Sequence, residues 1–260
     1  MKTRVILLVM LFFFMVSLRC IAADLLVLTF DQPIKRFRDS SPSNRDVTKV
    51  AVSEGSIVGQ GVKWSTTAPR SPAGGGYAVF DGGSYLQVKA APSLVLSADF
   101  TIRFWFRSPG IDRGISFGKY RHRMHPLKLG NDANDNLDID IDDTDSNGRG
   151  LWTYWLGGGN PSIWTPAGTV KRYTDDRWYH YWLVREKGVL TLYVGDDQRN
   201  YSLIGTAKDK GILGSPQSRI QIGSIGTWGS PPARCLCWLG AMDDIRIADE
   251  ASYPTGSCKQ

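Results

Sequence analysis

Apolar and polar residues alternate at every second position through most of the chain beyond residue 24, in runs that are short. In "DFTIRFWFRS", Phe100, Ile102, Phe104 and Phe106 fall on one side while Thr101, Arg103, Trp105 and Arg107 fall on the other. A period of two is what a strand shows when one face meets a core. "DLLVLTFD" (24–31) predicts an opening strand, and "YAVFDGGSYLQV" (77–88) predicts two short strands around a Gly82-Gly83 turn. "RWYHYWLVREKGVLTLYVGDDQ" (177–198) predicts a hairpin turning at residues 186–188, and "SRIQIGS" and "GAMDDIRIAD" add two further strands. After the first two dozen residues, no long stretch carries the 3.6-residue period of an amphipathic helix. Residues 35–75 are polar and weakly patterned, which predicts irregular loops with edge strands near Val50 and Val62.

Glycine and proline fall mostly between these runs, where turns require them. Short strands, glycine-rich turns and no helical crossovers predict an all-β fold of antiparallel sheets packed as a sandwich or jelly roll. Neither an interdomain linker nor an internal repeat is visible, so residues 24–260 read as one domain.

The first segment is patterned differently. Lys2 and Arg4 precede an apolar run from Val5 to Leu18, and Ala22 and Ala23 follow. A basic start, a short apolar stretch and small residues at its end read as a secretory signal peptide over residues 1–23. The run falls short of the roughly 20 residues of a stable membrane span. A lipoprotein leader would need Cys20 to become the lipidated terminus, with Arg19 where small residues usually stand. The expected location is therefore secreted, extracellular or periplasmic.

Removing that leader changes the charge argument. Lys2, Arg4 and Arg19 go and no acid goes with them, so the formal net charge of +6 becomes +3. Scattered lysines and arginines with no long basic run fit a solvated surface and give no case for nucleic acid. Three cysteines remain, Cys235, Cys237 and Cys258. In an oxidising compartment an odd count predicts one disulfide, Cys258 with Cys235 or Cys237, and one spare thiol. Zinc at Cys235-x-Cys237 is the alternative, but no His or Cys cluster accompanies it.

Taken in order, "FDGGSYLQV", "DFTIRFWFRS", "RWYHYWLVREKGVLTLYVGDD", "IQIGS" and "GAMDDIRIAD" resemble the successive strands of laminin-G-like jelly-roll domains in the concanavalin-A-like lectin and glucanase superfamily. The resemblance covers most of residues 25–249. It implies two curved antiparallel sheets with a concave face that often binds glycans, on a fold that hosts binding modules, adhesion domains and glycosidases alike. It also implies a structural calcium between the first and last strands, with Asp31 and Asp243 as ligands. Calcium takes six to eight oxygens, and carboxylates and carbonyls supply them.

"NLDIDIDDTDSNGRG" (136–150) holds five aspartates within eight residues and admits three readings. Some glycosidases of this superfamily carry Glu-x-Asp-x-Glu on a strand, and Asp138, Asp140 and Asp142 resemble it in shortened form. Asp138 and Asp142 are roughly 13 Å apart along a strand, whereas retaining hydrolysis needs carboxyl groups about 5–5.5 Å apart. Adjacent pairs, about 6.6 Å apart, suit only an inverting arrangement. The second reading is a calcium loop using Asp142, Asp143, Asp145 and Asn147. Tyr154 stands where an EF-hand has glutamate, so that motif is rejected. The third is a plain strand, with Leu137, Ile139 and Ile141 in the core and the acids on a solvated face.

Aromatic residues give the clearer signal for binding. Trp152, Tyr154, Trp155 and Trp164 surround three glycines in "LWTYWLGGGNPSIWTP" (151–166), and Trp228 lies in "GTWGSPP". A flat indole offers an apolar face to a sugar ring while polar neighbours hold its hydroxyls. Trp155, Trp164 and Trp228, with Asp138 and Asp140, are the expected ligand contacts, and packing is the alternative for each. "GKYRHRMHP" (118–126) is a basic loop able to attract an acidic surface, and His180 reads as a packed strand residue. Asn200-Tyr201-Ser202 matches a glycosylation acceptor. The expected function is a secreted, non-catalytic, lectin-like module that binds carbohydrate. The alternatives are an adhesion module for an extracellular protein and, third, a glycoside hydrolase using Asp138, Asp140 and Asp142.

Overall fold

A computed structural model describes residues 24–32, 37–51, 53–54, 57–109, 123–130, 137–142, 151–155, 162–164, 173–209, 211, 219–224, 227–228, 234–235, 237–255 and 258–259. In chain order the strands are β1 (Asp24–Leu28), β2 (Val47–Ala51), β3 (Ser53–Glu54), β4 (Ile57–Val58), β5 (Lys63–Ser65), β6 (Tyr77–Asp81) and β7 (Ser84–Val88). There follow β8 (Phe100–Arg107), β9 (Arg123–Leu129), β10 (Leu137–Asp142), β11 (Leu151–Trp155), β12 (Ser162–Trp164), β13 (Trp178–Glu186) and β14 (Val189–Gly195). The last are β15 (Tyr201–Lys208), β16 (Ile220–Ile222), β17 (Thr227–Trp228), β18 (Arg234–Cys235), β19 (Leu239–Ala248) and β20 (Cys258–Lys259). No α-helix occurs among the described residues.

Two large sheets form a jelly-roll sandwich. One has nine strands in the order β20-β15-β14-β13-β8-β19-β6-β5, with β1 also paired to β19. The other has seven, in the order β12-β11-β10-β9-β16-β7-β2. Between them the alternation settles which side chains turn inward. Phe100, Ile102, Phe104 and Phe106 from one sheet share a core with Leu137, Ile139, Ile141, Leu127, Leu129, Ile220 and Ile222 from the other. Burial of this apolar surface is the main driving force for closing the sandwich.

Local residues explain the turns. Glu186 pairs with Val189, leaving Lys187 and Gly188 as a two-residue loop with φ of 50° and 74°. Two positive φ values mark a type I′ turn, the type that matches strand twist in a tight hairpin. The Gly82-Gly83 turn, by contrast, does not make a hairpin. β6 belongs to the nine-stranded sheet and β7 to the seven-stranded one, so the turn carries the chain between layers. As expected, β2 and β5 are edge strands.

Both faces of the nine-stranded sheet are covered at its centre. Trp178, His180, Trp182 and Val184 point away from the core, yet all are buried. The Trp178 indole N–H donates to Pro69 O at 3.1 Å and the Tyr77 hydroxyl donates to Thr67 O at 2.6 Å. The Trp182 indole donates to Ser252 O at 2.7 Å, and the Thr101 hydroxyl donates to Glu250 O at 2.7 Å. A strap near residues 65–75 and the tail from 249 to 255 thus lie over this face. His180 is the packed strand residue expected: its ring stacks on Trp105 at 4.3 Å and its Nδ1 lies 2.6 Å from the Tyr201 hydroxyl. Burial pushes its pKa down to about 3.

The irregular segment before β2 is organised by one carboxylate. Asp39 accepts from the backbone N–H groups of Val27, Ser41 and Arg45, from the Ser41 hydroxyl and from the buried Arg45 guanidinium. The same guanidinium donates to Leu25 O, so the loop is tied to β1. Burial raises the pKa of Asp39, but the hydrogen bonds outweigh it and the net shift is downward. A depressed carboxylate pKa contributes stability above the unfolded value near 4, lost as pH falls toward the folded value. Asp39→Asn is expected to cost about 3–5 kcal/mol at pH 7, as when one partner of a buried pair is removed. Denaturant titrations should show that difference shrinking below about pH 4.

Candidate functional site

The five aspartates divide at the end of β10. Asp143 and Asp145, with Asn147, lie outside the described residues, so the calcium-loop expectation falls there. Asp142 ends β10 with its backbone opposite Arg123. Asp138 and Asp140 face away from the core, as their alternation with buried Leu137, Ile139 and Ile141 requires. They are not solvated, however: their exposures are 3% and 0%. The expectation of a solvated acidic face is therefore corrected.

The strand beside them supplies the reason. Asp138 stands opposite Lys128 of β9, itself buried. Farther along, Ile139 pairs with Leu127 and Ile141 with Met124, so β9 spends one more residue than β10 over this interval. That β-bulge sets His125 and Pro126 against Asp140, and bulges are where proline is tolerated inside a sheet. His125 Nε2 lies 3.9 Å from Asp140 Oδ2, with both side chains buried. Two acids and two basic side chains therefore share this face of the seven-stranded sheet. Across β11, Asp140 is in register with Trp152, which is in register with Trp164 of β12. Trp155 pairs with Leu137 and Trp228 lies on β17, but the side chains of Trp155, Trp164 and Trp228 are outside the described set.

A second constellation joins the beginning and end of the fold. Asp243, on β19 at a bulge opposite β8, is almost fully buried. One of its oxygens accepts from the Asp244 N–H at 2.8 Å, Ser71 of the strap also bonds its carboxylate, and Oδ2 has no hydrogen-bond partner. The exposed Asp31 lies close enough for its charge to act on Asp243. Burial pushes Asp243 up to about 7, the bonds from Ser71 and Asp244 oppose this, and the charges of Asp244 and Asp31 add to it. Gly75 must be glycine here: its φ is +61°, and a Cβ would come within 2.2 Å of Asp31 Oδ1. Its lack of a side chain lets the strap close over the two acids. This donor set fits a hard cation, which takes carboxylate, hydroxyl and carbonyl oxygens. Among the described residues no cluster of three or more His, Cys, Asp or Glu forms a metal site.

Cys237 is disulfide-bonded, and its partner lies outside the described side chains. β20 sets Cys258 opposite Tyr201 at one edge of the nine-stranded sheet. Cys237 immediately precedes Trp238 and β19, and β15, β14, β13 and β8 intervene.

Sequence and structure comparisons match this geometry. The model of the laminin G-like family described as "Concanavalin A-like lectin/glucanases superfamily" matches residues 80–254. The chain belongs to this superfamily. No curated protein matches it. Among solved structures, it is similar to domain 4 of AbnA, a GH43 extracellular arabinanase from Geobacillus stearothermophilus, in complex with arabinotriose. That likeness has a TM-score of 0.58 at 17% identity and covers 90% of this chain and 95% of that one. The binding domain of botulinum neurotoxin serotype G gives 0.56 at 13% identity, over 89% of this chain and 49% of that one. The LG1-3 region of the laminin alpha2 chain gives 0.50 at 18%, over 68% and 31%. At such identities the likeness shows the fold, two antiparallel sheets of the laminin G type.

Within this superfamily member, the buried acids of β10 are expected to be structural. Asp140→Ala should lower unfolding stability by about 3–5 kcal/mol, because it strips a carboxylate from beside buried His125. Urea or thermal unfolding measures this directly, and a change under 1 kcal/mol would refute it.

Proposed function

We propose that the protein is a secreted, non-catalytic module that binds carbohydrate, with calcium held between Asp31 and Asp243. The observation that carries the non-catalytic part is the burial of Asp138 and Asp140 beside Lys128 and His125. An acid that protonates a glycosidic oxygen must reach it, and these two lie beneath the surface. Their role is to support the seven-stranded face, on which the register of Trp152 and Trp164 brings two tryptophan positions together. The complex of AbnA domain 4 with arabinotriose supports a glycan as ligand, because the likeness runs through nearly all of that domain.

Calcium would be held by the Asp31 and Asp243 carboxylates and the Ser71 hydroxyl, and it would supply charge neutralisation that pins strap to strand. Secretion rests on the leader pattern of residues 1–23, which lie outside the described residues. No helix among the described residues is long and apolar enough to cross a membrane. A second reading, adhesion to an extracellular protein, draws on one feature. Val189, Leu203 and Tyr253 are the large exposed apolar side chains of the described residues, on β14, β15 and the tail beside them. A partner covering them would favour protein over sugar.

Protein from Asp24 onward, screened against a polysaccharide panel with calcium and with chelator, is expected to bind without releasing reducing sugar. Release that disappears in Asp138→Asn would instead establish a hydrolase, and capture of no glycan would favour the adhesion reading. Chelator is expected to lower the thermal midpoint by several degrees, and Asp243→Asn should remove that response. A midpoint indifferent to calcium in the wild-type chain would end the calcium proposal.

A further inference from the structure

Carbohydrate binding by this chain need not be confined to the seven-stranded sheet. On the outer side of the nine-stranded sheet, where β8 ends and β19 begins, lies a cavity of about 250 Å³. Tyr77, Val79 and Ala241 give it an apolar floor, and Arg107 and Asp176 stand at its polar side. It is separate from the acids of β10, which belong to the opposite sheet.

The polar side is built to a fixed shape. Arg107 Nε donates to Asp176 O at 3.0 Å, and its Nη2 donates to Asp176 Oδ2 at 2.8 Å. The Asp176 N–H donates to Ser108 O at 2.8 Å, holding that residue at a φ of +63°. Next to it the Ser108 hydroxyl donates to Leu239 O at 3.0 Å. Gly240 completes the corner: a Cβ there would sit 2.1 Å from Arg107 O, at a φ of +143°. An ion pair this exposed adds little to stability, and five constraints on one corner are more than a solvated pair requires.

We propose that this cavity is a subsite for a single uncharged sugar ring. The proposal rests on the carbohydrate-binding reading above and extends it to a second face. Its volume lies just below the roughly 300–1,000 Å³ of drug-sized ligand pockets, which suits one ring and excludes an extended chain. The apolar floor meets the C–H face of the ring, while the Arg107–Asp176 pair offers a donor and acceptors side by side to vicinal hydroxyls. Because the two charges cancel, a carboxylated or sulfated sugar gains no net attraction there, and a neutral polyol is favoured.

Calorimetric titration of Asp24-onward protein with neutral monosaccharides, uronates and neutral oligosaccharides tests this. Two variants accompany it: Ala241→Leu, which fills the floor, and Asp176→Asn, which keeps a residue tolerant of positive φ. The expected result is saturable binding of a neutral monosaccharide, weakened at least tenfold in both variants, with the melting temperature of Asp176→Asn unchanged. Sugar binding within twofold of wild type in both variants would overturn the subsite and leave the carbohydrate reading standing. Tighter binding of uronates, or binding of oligosaccharides without any monosaccharide, would also overturn it. Absence of all sugar binding by the wild-type chain would overturn both proposals.

Discussion

Every residue from Trp178 to Arg185 is buried, so β13 presents two apolar faces and both need cover. The inner face meets the second sheet in the ordinary way of a sandwich. The outer face carries two indoles whose N–H groups must find acceptors once water is excluded. Pro69 and Ser252 provide them, from opposite ends of the chain. This requirement draws both the strap and the tail across the nine-stranded sheet. The tail that carries Ser252 follows β19, which lies in the sheet between β8 and β6. The cavity beside Arg107 lies at a corner of this outer face.

The core was legible in the sequence wherever one face of a strand is apolar. Phe100, Ile102, Phe104 and Phe106, and likewise Leu137, Ile139 and Ile141, lie where their alternation puts them, because a shift of one residue would turn every side chain over. The layer change at Gly82-Gly83 was not legible, since two strands joined by a short turn look alike whether they pair or part. Nor was the role of Asp39, whose partners Val27, Ser41 and Arg45 are collected from both sides of an irregular loop. At β10 the pattern told which way Asp138 and Asp140 face but not what lies above them. Burial of an outward face depends on loops and neighbouring strands, and the bulge that delivers His125 follows from register, which alternation within β10 does not encode.

Three buried carboxylates show how the same group is settled in three different ways. Asp39 is ringed by donors and paired with Arg45, so ionisation is favoured despite burial. Asp140 faces His125, a partner whose own charge is conditional on protonation. Asp243 has Ser71 and one backbone N–H but keeps an oxygen with no hydrogen-bond partner, and the charges of Asp244 and Asp31 act against its ionisation. Desolvation and like charge act there in the same direction, which is why its pKa moves up where that of Asp39 moves down. Asp243 is buried and bonded by Ser71 of the strap, while Asp31 stays exposed and its charge opposes ionisation of Asp243. The cation proposed there would supply what Asp39 obtains from Arg45: a positive charge and directional contacts for the remaining oxygen. It would also join β19 to the strap that covers Trp178, so the cation proposed for Asp31 and Asp243 acts on the same double-sided burial that organises the sheet.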